Sequence, residues 1–442
     1  MDEEVKLGII GFGTVGSGVV KILTQNADII KRRLGFSLVL KSIVDIDISR
    51  DRGVSTAGIH LSTDVGEILD NPEIRIVVEL VGGYEPARTF ILRAMAAGKH
   101  VVTANKALLA THGEEILETA RRSGVDINFE GSVGGGIPII RALKEGLAAN
   151  RMVKVFGIMN GTANYILTEM TENGESFQNV LEKAQRNGYA EVDPSLDVEG
   201  IDTAHKLSIL LAMSYEMPII PEDIFTEGIT GISSQDIRYA GDFGYKIKLL
   251  GISSAHDNVV EARVHPTMIP EDAVLSKVDG VFNAFYVVGD VVGPTMYYGQ
   301  GAGMMPTGSA VVGDIMELAR NVRAGAERRV HPLGFETRCG EKVVQKIADL
   351  VTKHYFRFSA VDRPGVLSRI SGILGDNQIS IASVIQMGRE LRGGAVPIVM
   401  MTHEAREADV QQALREVDQL EIVQDRTMHI RVEDETLRGG LS

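Results

Sequence analysis

Residues 1–130 alternate between short apolar segments and amphipathic segments. The apolar segments are VKLGII, LVLKSIVDI, RIVVELV, KHVVTA and VDINFE, while PARTFILRAMAAG and GEEILETARRSG have helical periodicity and end near a glycine. Because these strands are apolar throughout, both faces of their sheet must be covered by helices. The alternation therefore predicts an α/β fold built on a doubly wound parallel sheet.

A glycine-rich turn follows the first of these strands. It has the pattern GxGxxG, formed by Gly11, Phe12, Gly13, Thr14, Val15 and Gly16. Gly11 allows a tight turn, Gly13 lets a pyrophosphate approach the backbone, and Gly16 lets the helix pack closely on the strand. Since the pattern follows a strand and opens a helix, it predicts a Rossmann-type dinucleotide site. A glycine turn without a ligand is the alternative.

The end of the second strand carries charges of both signs. Asp45 or Asp47 could accept a hydrogen bond from a ribose 2′-hydroxyl, which would favour NAD. Arg50 and Arg52 could instead bind a 2′-phosphate, which would favour NADP. The residues leave NAD and NADP open.

The remaining chain changes character twice. We predict a dinucleotide-binding domain over residues 1–134, completed by a glycine loop and a helix at about 301–321. Residues 135–300 mix helices and strands, which predicts an α+β domain for substrate binding, catalysis and dimerisation. A charged linker is expected over 322–350. The order strand–helix–strand–strand–helix–strand over 351–434 predicts a ferredoxin-like unit.

The composition excludes several classes of protein. A net charge of −14 argues against a nucleic acid or an anionic membrane as partner. No segment has the roughly 18 consecutive apolar residues of a membrane span, and the acidic start MDEEVKLGII is unlike a secretory signal. The single cysteine, Cys339, allows neither an internal disulfide nor a cysteine cluster for zinc or iron–sulfur. We therefore expect a cytoplasmic protein.

The segment EGIDTAHKLSILLAM, residues 199–213, places two charged side chains on an apolar helix stripe. At about 100° per residue, Asp202 and Lys206 lie in line with Ile209 and Met213. A buried charge needs a partner, so one interpretation is an ion pair that faces a substrate cleft. A purely structural pair within the helix is the other. His205 lies beside the stripe, and we do not expect it to be a catalyst.

Further candidates lie where strands end and in glycine-rich or acidic loops. Lys106 follows the strand KHVVTA, and ligands bind at the carboxyl ends of parallel strands. The acidic loop over 187–200 suits a substrate with an ammonium group, but it is equally typical of a solvated loop. The segment FEGSVGGGIPII (129–140) could turn carbonyls or amides toward an ion, or it could act as a hinge.

Six segments together resemble homoserine dehydrogenase, in the order in which that family has them. The resemblance covers essentially the whole chain and rests on GFGTVGSGV (11–19), VVTANKALLA (101–110), FEGSVGGGIPII (129–140), NGTANYIL (160–167), GYAEVDPSLDVEGIDTAHKLSIL (188–210) and GAGMMPTGSAVVGDI (301–315). The tail, with DRPGVL from Asp362 to Leu367, resembles an ACT domain, a small module that binds amino acids. The family reversibly interconverts L-aspartate 4-semialdehyde and L-homoserine with NAD(P)H, in threonine, methionine and isoleucine biosynthesis.

The resemblance implies roles for individual residues. Lys206 would be the proton donor, Lys106 a second catalytic lysine, and Asp202 would hold the substrate or the lysine's proton. The substrate would contact Glu191, Asp202, Gly161, Thr162 and Asp197, and the cofactor would contact Asp45, Thr103, Lys106, Gly188 and Gly303 besides the glycine loop. A monovalent cation, sodium, would be held at Glu130, Val133, Gly135 and Ile137, mainly through backbone oxygens. An amino-acid effector would bind near Asp362, Gly365 and Asn377.

Regulation and assembly follow from the same resemblance. Threonine is the expected effector, and the alternative is an ACT unit that only mediates dimerisation. The open sheet of the middle domain predicts a homodimer, which ACT pairing could extend to a homotetramer.

Two other functions compete with this interpretation. The first is another dehydrogenase on the same scaffold, which would not need the segment GIDTAHKL. The second is a regulatory sensor without turnover, which would not need intact Lys106 and Lys206. If both lysines serve one site, we expect each to depress the pKa of the other and oxidation to run best at alkaline pH.

Overall fold

The N-terminal strands form one parallel sheet. The computed structural model describes residues 4–336, 342–386, 395–434 and 437. The strands are β1 (Glu4–Ile10), β2 (Ser37–Val44), β3 (His60–Ser62), β4 (Ile74–Glu79), β5 (His100–Thr103) and β6 (Ile127–Asn128), and the helices are α1 (Thr14–Gln25), α2 (Ala27–Leu34), α3 (Gly66–Leu69), α4 (Ala87–Ala96) and α5 (Lys106–Ser123). The strand order β3-β2-β1-β4-β5-β6 reverses between β1 and β4, which opens the ligand crevice there. The predicted doubly wound sheet is confirmed, with the short β3 as an addition.

The middle of the chain builds a second, antiparallel sheet. Its elements are α6 (Ile139–Arg141), β7 (Met152–Ile158), α7 (Gly161–Asn173), α8 (Phe177–Arg186), α9 (Ser195–Val198), α10 (Ile201–Tyr215), β8 (Phe225–Thr226), α11 (Ser234–Asp242), β9 (Tyr245–His256), β10 (Val259–Pro270), β11 (Phe282–Gly289) and β12 (Gly293–Gln300). The strand order is β12-β11-β7-β9-β10, and α7 and α10 pack against β9. The helix expected from IPIIRALKEGLA is only partly α-helical, because α6 continues as a π-helical turn over Ala142–Gly146.

The next helix returns to the first sheet. Helix α12 (Met304–Ala324) buries Val311, Ile315 and Leu318 in the same apolar cluster as residues of β1 and α1. Two glycines, Gly18 in α1 and Gly308 in α12, allow these helices to touch. A Cβ on Gly18 would lie 2.2 Å from the backbone oxygen of Met304. These contacts hold α12 against α1, and the completion of the first domain by residues 301–321 stays a prediction.

The C-terminal unit has the predicted ferredoxin-like order. Its elements are β13 (Val343–Val344), β14 (Val351–Val361), α13 (Val366–Asp376), β15 (Ile381–Gln386), β16 (Ala395–Thr402), β17 (Ala405–Arg406), α14 (Glu407–Asp418) and β18 (Val423–Val432). Its main strands are ordered β18-β14-β16-β15. The segment 322–350, which we expected to be irregular, contains the end of α12 and also β13, which pairs with β10. Cys339 lies outside the described residues.

The C-terminal unit is joined to the middle domain by a shared sheet and by ion pairs. Strand β18 runs parallel to β10, with Arg431 opposite Thr267. The Arg431 guanidinium donates to Glu407 in its own unit and to Glu227 in the middle domain. No pattern in the sequence predicts that the middle domain and the C-terminal unit share one sheet. No helix among the described residues has the length and apolar character needed to cross a membrane.

We expect Gly18→Ala to destabilise the contact between α1 and α12. The added methyl group would overlap the Met304 carbonyl, and such overpacking costs about 1–3 kcal/mol. Gly313→Ala is the matched control, because its Cβ would lie 3.8 Å from the nearest atom, Nη1 of Arg141, so the variant should keep its gain in helix propensity. Denaturant unfolding measures both variants, and equal stability of the two would contradict the prediction.

Candidate active site

The glycine loop after β1 has room for a phosphate at one position and none at the others. Gly11 has a φ of 101°, and a Cβ there would lie 2.5 Å from the carbonyl carbon of Leu80. A Cβ on Gly16 would lie 2.3 Å from the Gly11 oxygen, whereas a Cβ on Gly13, which precedes α1, would meet nothing within 4 Å. The loop thus exposes its backbone at Gly13 and the N-terminus of α1, which is the arrangement that binds a pyrophosphate.

The end of β2 lies against this loop. The backbone N–H of Phe12 donates to Asp45 Oδ2 at 2.5 Å, and Arg52 Nη2 lies 3.3 Å from Asp45 Oδ1. Arg52 also donates to the Asp47 carbonyl and lies over the Phe12 ring, 5.5 Å from its centroid. The Asp45 carboxylate and the Arg52 guanidinium are therefore held together where the ribose of a dinucleotide would lie.

The charged stripe of α10 faces inward as predicted. Asp202 and Lys206 are 6% and 7% exposed, and Ile209 and Met213 continue the stripe into the core. Lys206 Nζ donates to Asp202 Oδ2 at 2.7 Å and to the carbonyl of Met159, the residue after β7, at 2.6 Å. These contacts satisfy two of the three protons of a buried ammonium group.

A second lysine reaches the same carboxylate from the first domain. Lys106 is the first residue of α5, and its Nζ lies 3.1 Å from Asp202 Oδ1. The Lys106 side chain is 42% exposed, whereas that of Lys206 is 9% exposed. The Asp202 carboxylate therefore joins a buried lysine to one that borders open space, so the pair is not confined to one helix.

The electrostatics of the two lysines differ from what we expected. Burial lowers the pKa of Lys206 below its ordinary value, and the charge of Lys106 adds to this effect while Asp202 opposes it. Asp202 raises the pKa of Lys106, with burial opposing. Burial would also raise the pKa of Asp202, but the two ammonium groups outweigh it and hold that pKa well below its usual range. The expected mutual depression is therefore wrong for Lys106, because the carboxylate lies between the two cations.

The polar groups under the crevice support the loop after β4. Thr103 is completely buried, and its hydroxyl donates to Glu79 Oε2 at 2.7 Å. The other Glu79 oxygen accepts the N–H of Val81, and Asn105 Nδ2 donates to the Gly83 carbonyl. The hydroxyl of Thr103, which we predicted to contact the cofactor, is thus used inside the protein.

The predicted substrate residues lie around the lysines at different depths. Asp197 Oδ1 accepts a hydrogen bond from Asn160 Nδ2 at 2.6 Å, and Gly161 and Thr162 begin α7. The Thr162 hydroxyl donates to the Tyr189 carbonyl. Glu191 is exposed on the acidic loop, and its negative charge contributes to the raised pKa of Lys106. Two glycines have positive φ, Gly188 near the start of this loop and Gly303 directly before α12.

Two of the four residues predicted to hold a cation accept hydrogen bonds from the protein. The Glu130 carboxylate accepts the N–H groups of Ile140 and Arg141, and the Ile137 carbonyl accepts the N–H of Ile139. Glu130 N–H donates to Asp314, which also lies 3.4 Å from Arg141 Nη2. Gly135 has positive φ and touches Gly301, and Val133 is buried. Each oxygen of the Glu130 carboxylate thus has one partner in the protein, and a cation at this place stays a prediction.

The predicted effector residues lie at the two ends of α13. Asp362 and Gly365 occupy the turn between β14 and α13, and Gly365 has a φ of 89°. Asn377 ends α13, and its Nδ2 donates to the Ile373 carbonyl. The turn is exposed, and the Asn377 amide keeps one further proton for a ligand.

The sequence interpretation missed two residues of the site. Glu79 ends β4 and Asn160 follows β7 by two residues, and both are buried and hydrogen-bonded to predicted site residues. The rule that placed Lys106, a polar residue directly after an apolar strand, would also have selected Asn160. Glu79 lies inside the apolar segment RIVVELV, where the pattern alone indicates a core position.

The fold and this site define a class of protein, and comparison with known proteins refines it. A dinucleotide loop beside a cluster of two lysines and a carboxylate is typical of an NAD(P)-dependent oxidoreductase. Family models match residues 11–130 (homoserine dehydrogenase, NAD binding domain), 138–316 (homoserine dehydrogenase) and 354–422 (ACT domain).

Solved structures and curated relatives agree with these matches. The homoserine dehydrogenase of Pseudomonas aeruginosa is 44% identical over 98% of this chain and 99% of its own length. The crystal structure of a homoserine dehydrogenase from Thiobacillus denitrificans has a TM-score of 0.92 and 44% identity, and covers 98% of this chain and 99% of that one. A hyperthermophilic archaeal homoserine dehydrogenase in complex with NADPH has a TM-score of 0.61 and 27% identity, and covers 72% of this chain and 98% of that one. The chain belongs to the homoserine dehydrogenase family, NAD(P)-dependent oxidoreductases that act on a CH–OH group.

We expect Asp314→Asn to flatten the dependence of stability on pH. Burial raises the pKa of Asp314 to about 8, with the charge of Glu130 adding to the effect, whereas an unfolded Asp has a pKa of about 3.9. Between these values only the unfolded state loses the proton, so the free energy of unfolding falls as pH rises, by up to ~1.4 kcal/mol per pH unit. Denaturant unfolding of both proteins between about pH 5 and 8 measures this slope, and equal slopes would refute the prediction.

Proposed function

We propose that this chain interconverts L-aspartate 4-semialdehyde and L-homoserine with NAD(P)H, as a homoserine dehydrogenase of threonine, methionine and isoleucine biosynthesis. The observation that supports it best is the Asp202 carboxylate, which holds two lysines from two domains beside the carboxyl ends of the parallel strands. A structural ion pair within α10 would not need Lys106, and a sensor without turnover would not need either lysine.

The two lysines have separate tasks in this proposal. The cofactor, when bound, supplies or accepts the hydride at the carbon of the substrate. Lys106, with its raised pKa, stays an ammonium group and stabilises the negative charge that develops on the carbonyl oxygen. Lys206, with its lowered pKa, donates a proton to that oxygen during reduction and removes it during oxidation. Asp202 keeps both nitrogen atoms close to the same point.

The amino-acid part of the substrate would be held by the acidic loop. Glu191 and Asp197 offer carboxylates for the ammonium group, and the negative charge of both contributes to the raised pKa of Lys106. Gly161 and Thr162 offer backbone donors at the N-terminus of α7, where a substrate carboxylate would be favourable.

The residues at the end of β2 suit both forms of the cofactor. Asp45 can accept from a ribose 2′-hydroxyl, and Arg52, held beside it, can pair with a 2′-phosphate. We therefore propose that NADH and NADPH are both accepted. A relative solved in complex with NADPH supports the second of these.

Sodium at Glu130, Val133, Gly135 and Ile137 stays a prediction. The Glu130 carboxylate already accepts two backbone N–H groups, and no step of the reaction above uses a cation there.

We also keep the proposal of a cytoplasmic enzyme. It rests on the presence of a single cysteine, Cys339, which lies outside the described residues. A homodimer or homotetramer is proposed from β12, an edge strand that exposes Met296 and Tyr298.

We further propose threonine as the effector of the ACT unit. The unit is fixed to the middle domain by buried contacts. Arg357 donates to both oxygens of Asp236, at the start of α11, and Arg431 joins Glu407 to Glu227. A change of the unit on binding an amino acid would therefore reach the catalytic domain through rigid contacts.

We expect Lys206→Met to lose most of the activity. The assay follows oxidation of NADH and of NADPH with aspartate semialdehyde, and removal of a general acid lowers kcat by about 10²- to 10⁴-fold. Lys248→Met is the matched control, because Lys248 is also buried and pairs with Asp279, away from the cleft. Full activity of the folded Lys206→Met variant would remove its assigned role. Wild-type protein without turnover would overturn the proposed function.

We expect threonine to inhibit the wild-type protein and to inhibit Asp362→Ala less, with a midpoint raised about tenfold. The loss of one charged hydrogen bond to the threonine ammonium would account for such a change. Glu404→Ala is the control, because Glu404 is an exposed acid at the opposite end of the unit's sheet. Threonine titration of all three proteins measures this. Identical curves, or none with inhibition, would reject threonine at this site.

A further inference from the structure

Asn160 makes three hydrogen bonds at the junction of β7 and α7. Its Oδ1 accepts the N–H of Ala163 at 2.8 Å, which caps α7. Its Nδ2 donates to Asp197 Oδ1 at 2.6 Å and to Asp202 Oδ2 at 2.9 Å. Asn160 is 5% exposed, so these contacts use both amide protons in a nearly dry environment.

The amide is a donor shared by two carboxylates. It lies between Asp197 and Asp202 and offsets part of their mutual repulsion, in addition to the two lysines that pair with Asp202. The orientation of the amide follows from its partners, because a carboxylate cannot donate and a backbone N–H cannot accept. A serine or threonine at this position would cap the helix equally well but would have one proton for two carboxylates.

Asn160 is linked to Lys206, the proposed proton donor, through a single carboxylate oxygen. Asp202 Oδ2, which accepts from Asn160, is the same oxygen that accepts from Lys206 at 2.7 Å. The strength of the bond from Asn160 therefore sets how much negative charge that oxygen offers to the Lys206 ammonium. Asn160 also fixes where the oxygen stands relative to the Met159 carbonyl, the other acceptor of Lys206.

We infer that Asn160 is a positioning residue of the reaction. It orients Asp202 toward both lysines, keeps Asp197 turned toward the substrate side, and limits the negative charge beside Lys206 so that Lys206 can give up its proton. This inference rests on the proposed function, since it is read out through the oxidation of homoserine.

Two substitutions separate the positioning role from the helix cap. Asn160→Ser keeps the cap but has one proton for the two carboxylates, so at least one of these bonds is lost, and we expect kcat for homoserine oxidation to fall about tenfold or more. Asn160→Asp also keeps the cap, and it places a third carboxyl group beside Asp197 and Asp202. The added negative charge should raise the pKa of Lys206, so the rising limb of the kcat profile for homoserine oxidation, which follows deprotonation of Lys206, should move up by about one pH unit.

Asn164→Asp is the matched control for the change of charge. Asn164 lies one turn further along α7, is buried, and donates to the carbonyls of Val278, Gly280 and Phe282. The substitution should lower thermal stability and leave the rising limb of the kcat profile for homoserine oxidation at the same pH. Circular dichroism first shows which variants are folded.

The outcomes distinguish this inference from the proposed function. A wild-type protein that does not oxidise homoserine would overturn the function itself. An active wild type together with a folded Asn160→Ser or Asn160→Asp variant of unchanged kcat and unchanged pH profile would overturn the role of Asn160. The expected result is a lower kcat in Asn160→Ser, together with a rising limb that moves to higher pH in Asn160→Asp and does not move in Asn164→Asp.

Discussion

The Asp202 carboxylate and its two lysines are the contact on which the rest of the site depends. One oxygen pairs with buried Lys206 and the other with Lys106, so a single anion is shared by two cations that come from different domains. Without that anion, a buried Lys206 would be left with the Met159 carbonyl alone, and an unpaired charge in the interior is strongly unfavourable. The lysines are unequal because burial outweighs this anion at Lys206 and lowers its pKa, whereas the anion outweighs burial at Lys106 and raises its pKa.

The architecture of the molecule serves to bring these three side chains together. The parallel sheet ends β5 just before Lys106, and the antiparallel sheet supports α10, which carries Asp202 and Lys206. Helix α12 returns from the second sheet to pack on α1, so the two sheets are tied on both sides of the cleft. The third unit extends the second sheet through β18, which places an amino-acid-binding module in direct contact with the catalytic domain.

Local patterns in the sequence predicted much of this arrangement. The glycine turn, the inward stripe of α10 and Lys106 at a strand end follow from short-range periodicity, and the structure shows each of them. Long-range contacts could not be predicted in this way. The pairing of β18 with β10 depends on how two units dock, and the raised pKa of Lys106 depends on a carboxylate far away in sequence. The buried Glu79 was missed because an acid within an apolar strand gives no periodic signal.

The central claim, that Asp202 separates the two lysines electrostatically, can be measured directly by NMR titration. The side-chain nitrogens of ¹⁵N-labelled lysine would be followed in the wild-type protein, with Lys106→Met and Lys206→Met used for assignment. We predict that Lys206 titrates below the ordinary lysine value of about 10.4 and that Lys106 titrates above it. Titration of both lysines on the same side of that value, or in the reverse order, would contradict the claim.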